Sequence, residues 1–260
     1  MRPLRRLSAI ASHYQLLLAI IQKDFDIRYA GSVLGILWTQ LYPLLLLGVY
    51  TFVFSVIFSN SIPHFPLFLF VGIVIWHFFS SATQLASGSV LANANLITKV
   101  GFPRELVTIS VIAIALVDLA MSHFVLGVGA VVFGIAPAWS WLALPMIIVL
   151  LAVVCLGVGL MLATAAVYLR DVRFIVEVAV LLLMFLSPVF YSERTVPASV
   201  EWLMHINPVA LVITSYRDAF LDGVWPGLVT WAELVVAAVA ALWVGLEVFD
   251  RGQRGFPDAL

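Results

Sequence analysis

The chain has 260 residues, of which 63% are hydrophobic and 10% charged, and its formal net charge is −1 at pH 7. Soluble domains carry about 25% charged and about 45–50% apolar residues, so a water-soluble globular protein, a disordered chain, a collagen and a disulfide scaffold are all excluded. The near-neutral balance gives no sign of a nucleic-acid partner, and the single cysteine, Cys155, sits in an apolar run as a small core residue.

The first thirty residues do not read as a cleavable signal. Arg2, Arg5 and Arg6 make a basic start, but the apolar run 16–21 is short and no small-x-small site follows it. Ile10, Tyr14, Leu17, Ile21 and Phe25 recur at helical spacing, with Ser12, Gln15, Gln22 and Asp26 opposite. That pattern predicts an amphipathic interfacial helix within residues 1–33. Asp24 and Arg28 lie i,i+4 in the favourable order.

Long, continuous apolar runs follow, which predict helices rather than an outer-membrane barrel. A spanning helix needs about 20 apolar residues. Six segments answer to this: 34–58, 67–87, 107–133, 141–167, 175–191 and 228–248. The expected fold is an all-α membrane protein, with a transmembrane domain over 34–248 and a tail over 249–260. Pro43 should bend the first span, and the fifth span is short. Eleven of the thirteen basic residues then fall on one side, with Arg194 and Arg217 on the other. The positive-inside rule places that basic side, and both termini, in the cytoplasm.

The outer stretch 188–227 is too apolar for a free loop. A helix opened by Pro197 runs through His205, and a second runs from Val209 to Leu221 and ends at Gly223. Two readings stand: a pair of re-entrant or interfacial helices, or an outer cap that only packs.

The chain carries no G-x-x-x-x-G-K-[ST] loop, so any ATP site belongs to another chain, with its ATP and Mg. The five histidines are scattered and there is no G-x-S-x-G elbow. Ionisable residues inside spans are functional candidates. Asp118 is central in the third span, with His123 five residues on. It reads either as a proton relay or as a polar group hydrogen-bonded between helices. The five-residue separation puts the two on different faces, which argues against a membrane enzyme built on them. Glu177 lies i,i+4 from Arg173, and Glu233 and Glu247 sit near the ends of the last span.

Trp38, Tyr42, Tyr50 and Phe54 share a helical stripe in the first span. They suit either an interfacial belt or the C–H faces of sugars along a pathway. Gly157, Gly159 and Ala163 give the fourth span a small-residue face for close packing. The loop Asn93 to Glu105 mixes Leu96, Ile97 and Phe102 with Lys99 and Arg104. It reads as a surface that docks a cytoplasmic partner, or as a plain connector.

These stretches share one pattern. Asp24-Phe-Asp-Ile-Arg-Tyr-Ala-Gly-Ser-Val-Leu-Gly-Ile-Leu-Trp38, followed by Tyr42-Pro43, resembles the opening of ABC-2 type permeases. Asn95-Leu-Ile-Thr-Lys-Val-Gly-Phe-Pro-Arg104 is similar to their coupling loop, and Tyr168-Leu-Arg-Asp-Val172 to their cytoplasmic turn. Ser187-Pro188, Asn207-Pro208 and Tyr216-Arg217 are similar to their outer segment. Together the motifs resemble the polysaccharide-export branch, which covers O-antigen, teichoic acid and capsule exporters.

The resemblance implies a multi-pass permease of the bacterial inner membrane. It implies a homodimer carried on two copies of a cytoplasmic P-loop ATPase, moving a lipid-linked polysaccharide. By the same resemblance Asn93, Asn95, Leu96, Lys99, Phe102, Pro103, Arg104 and Glu105 couple to the ATPase. Asp24, Arg28 and Tyr29 give a second contact, and Arg170 and Asp171 form the cytoplasmic turn. Pro188, Tyr191, Asn207, Pro208, Tyr216 and Arg217 form the outer gate. A proton-coupled secondary transporter and an ABC-2 exporter of a drug or small lipid are the alternatives.

Overall fold

The computed structural model describes residues 12–29, 35–57, 62–99 and 101–260, apart from the side chains of Ile36, Lys99 and Asp258. Arg2, Arg5, Arg6, Ile10, the expected boundary at 33/34 and the last residue of the first span lie outside the described residues.

The described chain is helical throughout. In order, the elements are α1 (Tyr14–Tyr29), α2 (Trp38–Phe52), α3 (Phe65–Ala92), α4 (Ala94–Lys99), α5 (Leu106–Val132), α6 (Ala143–Tyr168), α7 (Val172–Leu186), α8 (Trp202–Ile206), α9 (Pro208–Phe220), α10 (Leu228–Gly252) and α11 (Phe256–Ala259). A π-turn over Val53–Ile57 prolongs α2, and a 3-10 turn over Trp139–Leu142 leads into α6.

α3 is the central post. It is buried almost from end to end and packs against α2, α5, α6, α7 and α9. Pro66 in its first turn costs no hydrogen bond, because the first helical N–H groups have no partner in any case. α5 ends in a Schellman motif. The Gly134 N–H reaches the Val131 carbonyl at 3.2 Å and the Ile135 N–H reaches Ala130 at 2.8 Å. Gly134 has φ +71°, where a side chain would be strained.

The small-residue face of α6 does what its composition predicts. A Cβ on Gly157 would lie 2.2 Å from the Ala241 carbonyl carbon of α10, and one on Gly159 would lie 2.7 Å from Cβ of Ala86 in α3. Ala163 is fully buried. Contacts between α6 and α10 advance in step. Pro145 and Met146 share a surface hollow with Trp231 and Val235. Gly157 meets Ala241 and Gly245, and Thr164 meets Gly252. The two helices therefore run parallel, and residues 169–227 must return the chain across the bundle.

Among the described residues, five segments have the length and apolarity to cross a membrane: Trp38–Ile57, Phe65–Ala92, Leu106–Val132, Trp139–Tyr168 and Leu228–Gly255. The expected fifth span, 175–191, differs. Its helix α7 starts earlier and stops at Leu186 after 15 residues. That is about 22 Å at the α-helical rise, against a hydrocarbon core of about 30 Å. The residue before a proline disfavours helix, and Ser187 precedes Pro188. The chain there turns inward, burying Ser187, Val189 and Phe190.

The expected outer helices are both present, with shifted ends. The first is only five residues long (α8), preceded by a 3-10 turn over Glu193–Thr195, and the second runs Pro208–Phe220. The tail is not a free appendage. α10 continues to Gly252, and Phe249 and Phe256 are fully buried in a second apolar cluster with Ile20, Val90, Ile97, Val107, Leu160 and Ala163.

α1 lies along α5. Its polar side is the expected one, with Ser12, Gln15, Gln22 and Asp26 exposed; Leu17, Ile21 and Phe25 are half-buried, Ile20 is the buried residue, and Tyr14 points outward.

Candidate functional site

The basic end of the bundle carries the expected docking loop. Asn93 sits in the break between α3 and α4. Its amide Nδ2 donates to the Ser89 carbonyl at 2.9 Å, closing α3, and its Oδ1 accepts from Lys23 Nζ at 3.0 Å. Leu96, Ile97 and Phe102 are not an exposed patch, contrary to the sequence expectation. Ile97 is buried, and Leu96 and Phe102 pack on the second apolar cluster. Asn95, Thr98 and Gly101 form the outward side. Pro103 is half-buried, and Glu105 is buried at the start of α5.

Arg104 reaches across to the tail. It donates to the Gln253 carbonyl and stands 6.0 Å from the centre of the Phe256 ring. Tyr168 of the turn motif donates to the Gly252 carbonyl at 2.6 Å. Its neighbours Arg170 and Asp171 are exposed. The structure thus brings the loop, the turn and the tail to one end.

The expected Asp24–Arg28 pairing is replaced by two others. Asp24 pairs with Lys23 at 3.1 Å, and Arg28 pairs with Asp118 of α5 at 2.9 Å. The Tyr29 hydroxyl donates to the other Asp118 oxygen at 2.7 Å. Burial, together with that carboxylate, pushes the Tyr29 phenol up to about 12, so it stays protonated and donates. Gln40 Nε2 of α2 donates to the Asp118 backbone carbonyl at 3.2 Å, and Ser122 donates to Gln40 Oε1 at 2.9 Å. Of the two sequence readings of Asp118, the interhelical polar group is the one this geometry matches. His123 is held elsewhere, with Nδ1 2.8 Å from the Leu119 carbonyl. Gln40 and Ser122 escaped the sequence reading, since an uncharged polar residue in an apolar run carries little signal.

An open cavity of about 770 Å³ lies between α1, α3, α5 and the start of α7, with Lys23, Asp24, Arg28, Gln84, Asn93 and Arg173 on its walls.

The aromatic stripe of α2 divides. Trp38 and Tyr42 are exposed. Tyr50 and Phe54 pack on Phe190, with ring centres 4.6 and 5.9 Å away. Tyr42, Tyr50, Trp76, His77 and Phe190 line a small cavity of about 50 Å³ between α2, α3 and α7. Trp76, His77 and Phe190 were not singled out from the sequence, because they come from α3 and from the turn after α7.

At the opposite end, three of the expected gate residues, Pro188, Tyr191 and Arg217, meet, with Asn207 bonded to the neighbouring Ser187. Arg217, only 3% exposed, donates to the backbone carbonyls of Phe68, Pro188, Val189 and Tyr191, at 3.1, 2.5, 2.8 and 3.4 Å. Asn207 caps α9 by accepting from the Val209 and Ala210 N–H groups, and its amide donates to Ser187 Oγ at 2.9 Å. Pro208 occupies the first turn of α9. Tyr216 faces away from this group, edge-on to His123 with ring centres 5.6 Å apart. The last carbonyls of α9 accept from Ser140 Oγ and Trp141 Nε1, which ties α9 to the start of α6. No charge or motif marks Ser140 or Trp141 in the sequence.

Residues 15–221 match the family model described as ABC-2 type transporter. The O-antigen export system permease protein RfbA of Klebsiella pneumoniae is 30% identical over 253 residues, covering 95% of each chain. The protein of the same name from Myxococcus xanthus is 29% identical over 247 residues, covering 94% of this chain and 95% of the other. The polysialic acid transport protein KpsM of Escherichia coli is 24% identical over 242 residues, covering 89% and 91%.

Proposed function

Since this chain belongs to the ABC-2 type transporter family, we propose that it is the membrane-spanning half of an ATP-driven exporter that carries a lipid-linked polysaccharide of O-antigen, teichoic acid or capsule type across the bacterial inner membrane. The observation that carries this reading is similarity over about 95% of both chains to permeases named for O-antigen export. The chain is a multi-pass membrane permease without a phosphate-binding loop of its own, and a permease of this family implies an ATPase partner.

Two copies would form the pathway above two copies of that ATPase. The basic end is the cytoplasmic one, by the distribution of Lys and Arg. The parallel run of α6 and α10 supports six crossings, with α7 and the segment after it making the fifth.

The outward side of α4, with Asn95 at its centre, is the docking surface, with Arg170 and Asp171 beside it at the same end. Arg104 and Phe102 act behind it, holding the loop on the tail and on the second apolar cluster. Closure of the ATPase on ATP displaces α4 and α1. The spans of the two copies then separate and open a path past the α2 aromatics, with residues 188–220 as the outer gate. Asp118 is committed to Arg28 and Tyr29, which disfavours a proton-coupled carrier built on it.

The test is purification of the tagged chain in mild detergent with mass spectrometry of what accompanies it, paired with deletion of its gene and analysis of surface glycan. A stoichiometric P-loop ATPase and loss of a surface polysaccharide are expected. A chain recovered alone across several detergents, with surface glycan intact, overturns the reading.

A further inference from the structure

We infer that Asp118 is the point at which movement of α1 is delivered to the transmembrane helices, with Arg28, Tyr29 and Gln40 as its positioning partners. The inference rests on the export reading above and extends it to how the push from the ATPase travels.

The geometry is economical. Arg28 and Tyr29 are the last two residues of α1, and each takes a different oxygen of one carboxylate, at 2.9 and 2.7 Å. Gln40, in the first turn of α2, takes the Asp118 backbone carbonyl and is itself held by Ser122 one turn on. A single position of α5 therefore fixes the end of α1 and the start of α2.

α1 has few other attachments. Ile20 is its one buried residue, and Ile27, beside the clamp, is 72% exposed. Its second polar tie is Lys23 to Asn93, at the root of α4. Lys23 and Arg28 are five residues apart, about 7.5 Å along the helix. The stretch Lys23–Tyr29 of α1 is thus a short strut between the root of the docking loop and the middle of α5. Asp118 is 7% exposed within a helix whose only other ionisable residue is His123. A carboxylate there is costly to leave unpaired, so the clamp resists slipping and α5 follows α1.

The experiment uses the full chain with its ATPase, reconstituted in vesicles of bacterial lipid, reading ATP hydrolysis and polysaccharide export together. Asp118→Asn is expected to keep hydrolysis within about twofold of the parent while export per ATP falls by about tenfold, with Arg28→Gln lowering export per ATP as much and Tyr29→Phe less, the size of a typical coupling free energy. The exchanged pair, Arg28→Asp with Asp118→Arg, is expected to recover export beyond either single change. Unchanged export per ATP in Asp118→Asn overturns the inference. So does a parallel fall of hydrolysis and export that the exchanged pair does not relieve. Amide hydrogen exchange over residues 14–29 of the purified chain adds a readout independent of transport. Asp118→Asn is expected to speed exchange there, and unchanged exchange also overturns the clamp. If the parent complex shows no ATP-driven export, the functional reading has failed instead, and the exchange measurement still decides whether α1 is held through Asp118.

Discussion

The guanidinium of Arg217 lies 3.5 Å over the centre of the Phe68 ring, while its N–H groups are spent on the chain that follows α7. This one side chain satisfies the carbonyls of the turn over residues 188–191 and fastens that turn to α3. Lysine offers a point charge in place of the planar fork, so it cannot reach the same set of acceptors. Each buried carbonyl stripped of its donor costs about 1–3 kcal/mol, so Arg217→Met should cost more than about 3 kcal/mol and Arg217→Lys somewhat less. Gly72→Ala should give a related defect, because its Cβ would sit 2.6 Å from Arg217 Nη2 and 2.7 Å from the Val189 carbonyl oxygen. Unfolding in detergent, followed by tryptophan fluorescence, checks the order. A stable Arg217→Met would contradict the anchoring role.

The crossing of α6 and α10 gives a second prediction. Gly157 and Gly245 meet backbone to backbone, since a Cβ on Gly245 would lie 2.2 Å from the Gly157 carbonyl oxygen. Neither helix can yield there without moving as a whole. Gly157→Val should therefore destabilise the chain by about 1–3 kcal/mol, as overpacking does. Gly127→Ala is the control. Among the described residues nothing lies within 4 Å of that Cβ position, and a helical glycine replaced by alanine gains about 0.5–1 kcal/mol. Opposite shifts of the unfolding midpoint are expected, and equal shifts would refute the packing argument.

The helices were legible because an uninterrupted apolar run of twenty residues admits few other readings in a membrane. The stop of α7 was not, since Val189 and Phe190 are as apolar as the helix before them and hydropathy does not register a change of backbone. In α1 the polar side was legible but the innermost residue, Ile20, was not. Leu16 to Ile21 are apolar in sequence, so several neighbouring faces score alike, and the contact that selects Ile20 comes from Val90, Phe249 and Phe256. Local spacing offered Asp24 as the partner of Arg28. The carboxylate it finds is ninety residues away, and no periodicity reports that. At the outer end, that Arg217 satisfies the backbone carbonyls of Pro188, Val189 and Tyr191 while Tyr216 faces His123 needed coordinates.

The docking loop separates two kinds of substitution. Asn95 is exposed and faces away from the bundle, so Asn95→Arg should leave the unfolding midpoint unchanged while weakening capture of the ATPase. Arg104 holds the tail through Gln253 and Phe256. Arg104→Ala should therefore uncouple ATP hydrolysis from export and loosen residues 253–260, and a chain ending at Gly252 should behave as Arg104→Ala does. Phe102→Ala should uncouple as well, by taking an apolar group from the cluster under α4. Co-purification of the ATPase, with hydrolysis and export measured side by side, distinguishes the two kinds. Normal export by Arg104→Ala would remove the docking assignment.

A pH dependence is expected from the opposite end. Burial, with Glu193 and Asp222 nearby, pushes the Asp218 carboxyl up to about 6, while Arg194 and Arg217 pull the other way. The ordinary carboxylate value in the unfolded chain is about 4. Between these two values the folded chain holds the proton more tightly than the unfolded one. Stability carried by this group is therefore full below about pH 4 and declines as pH rises through about 6. Asp218→Asn removes that dependence and keeps the size of the side chain. The unfolding midpoint of the parent, taken relative to Asp218→Asn, should be higher at pH 5 than at pH 7.5. A difference of the reverse sign would mean that Arg194 and Arg217 outweigh burial, and that Asp218 is held as a stabilised carboxylate.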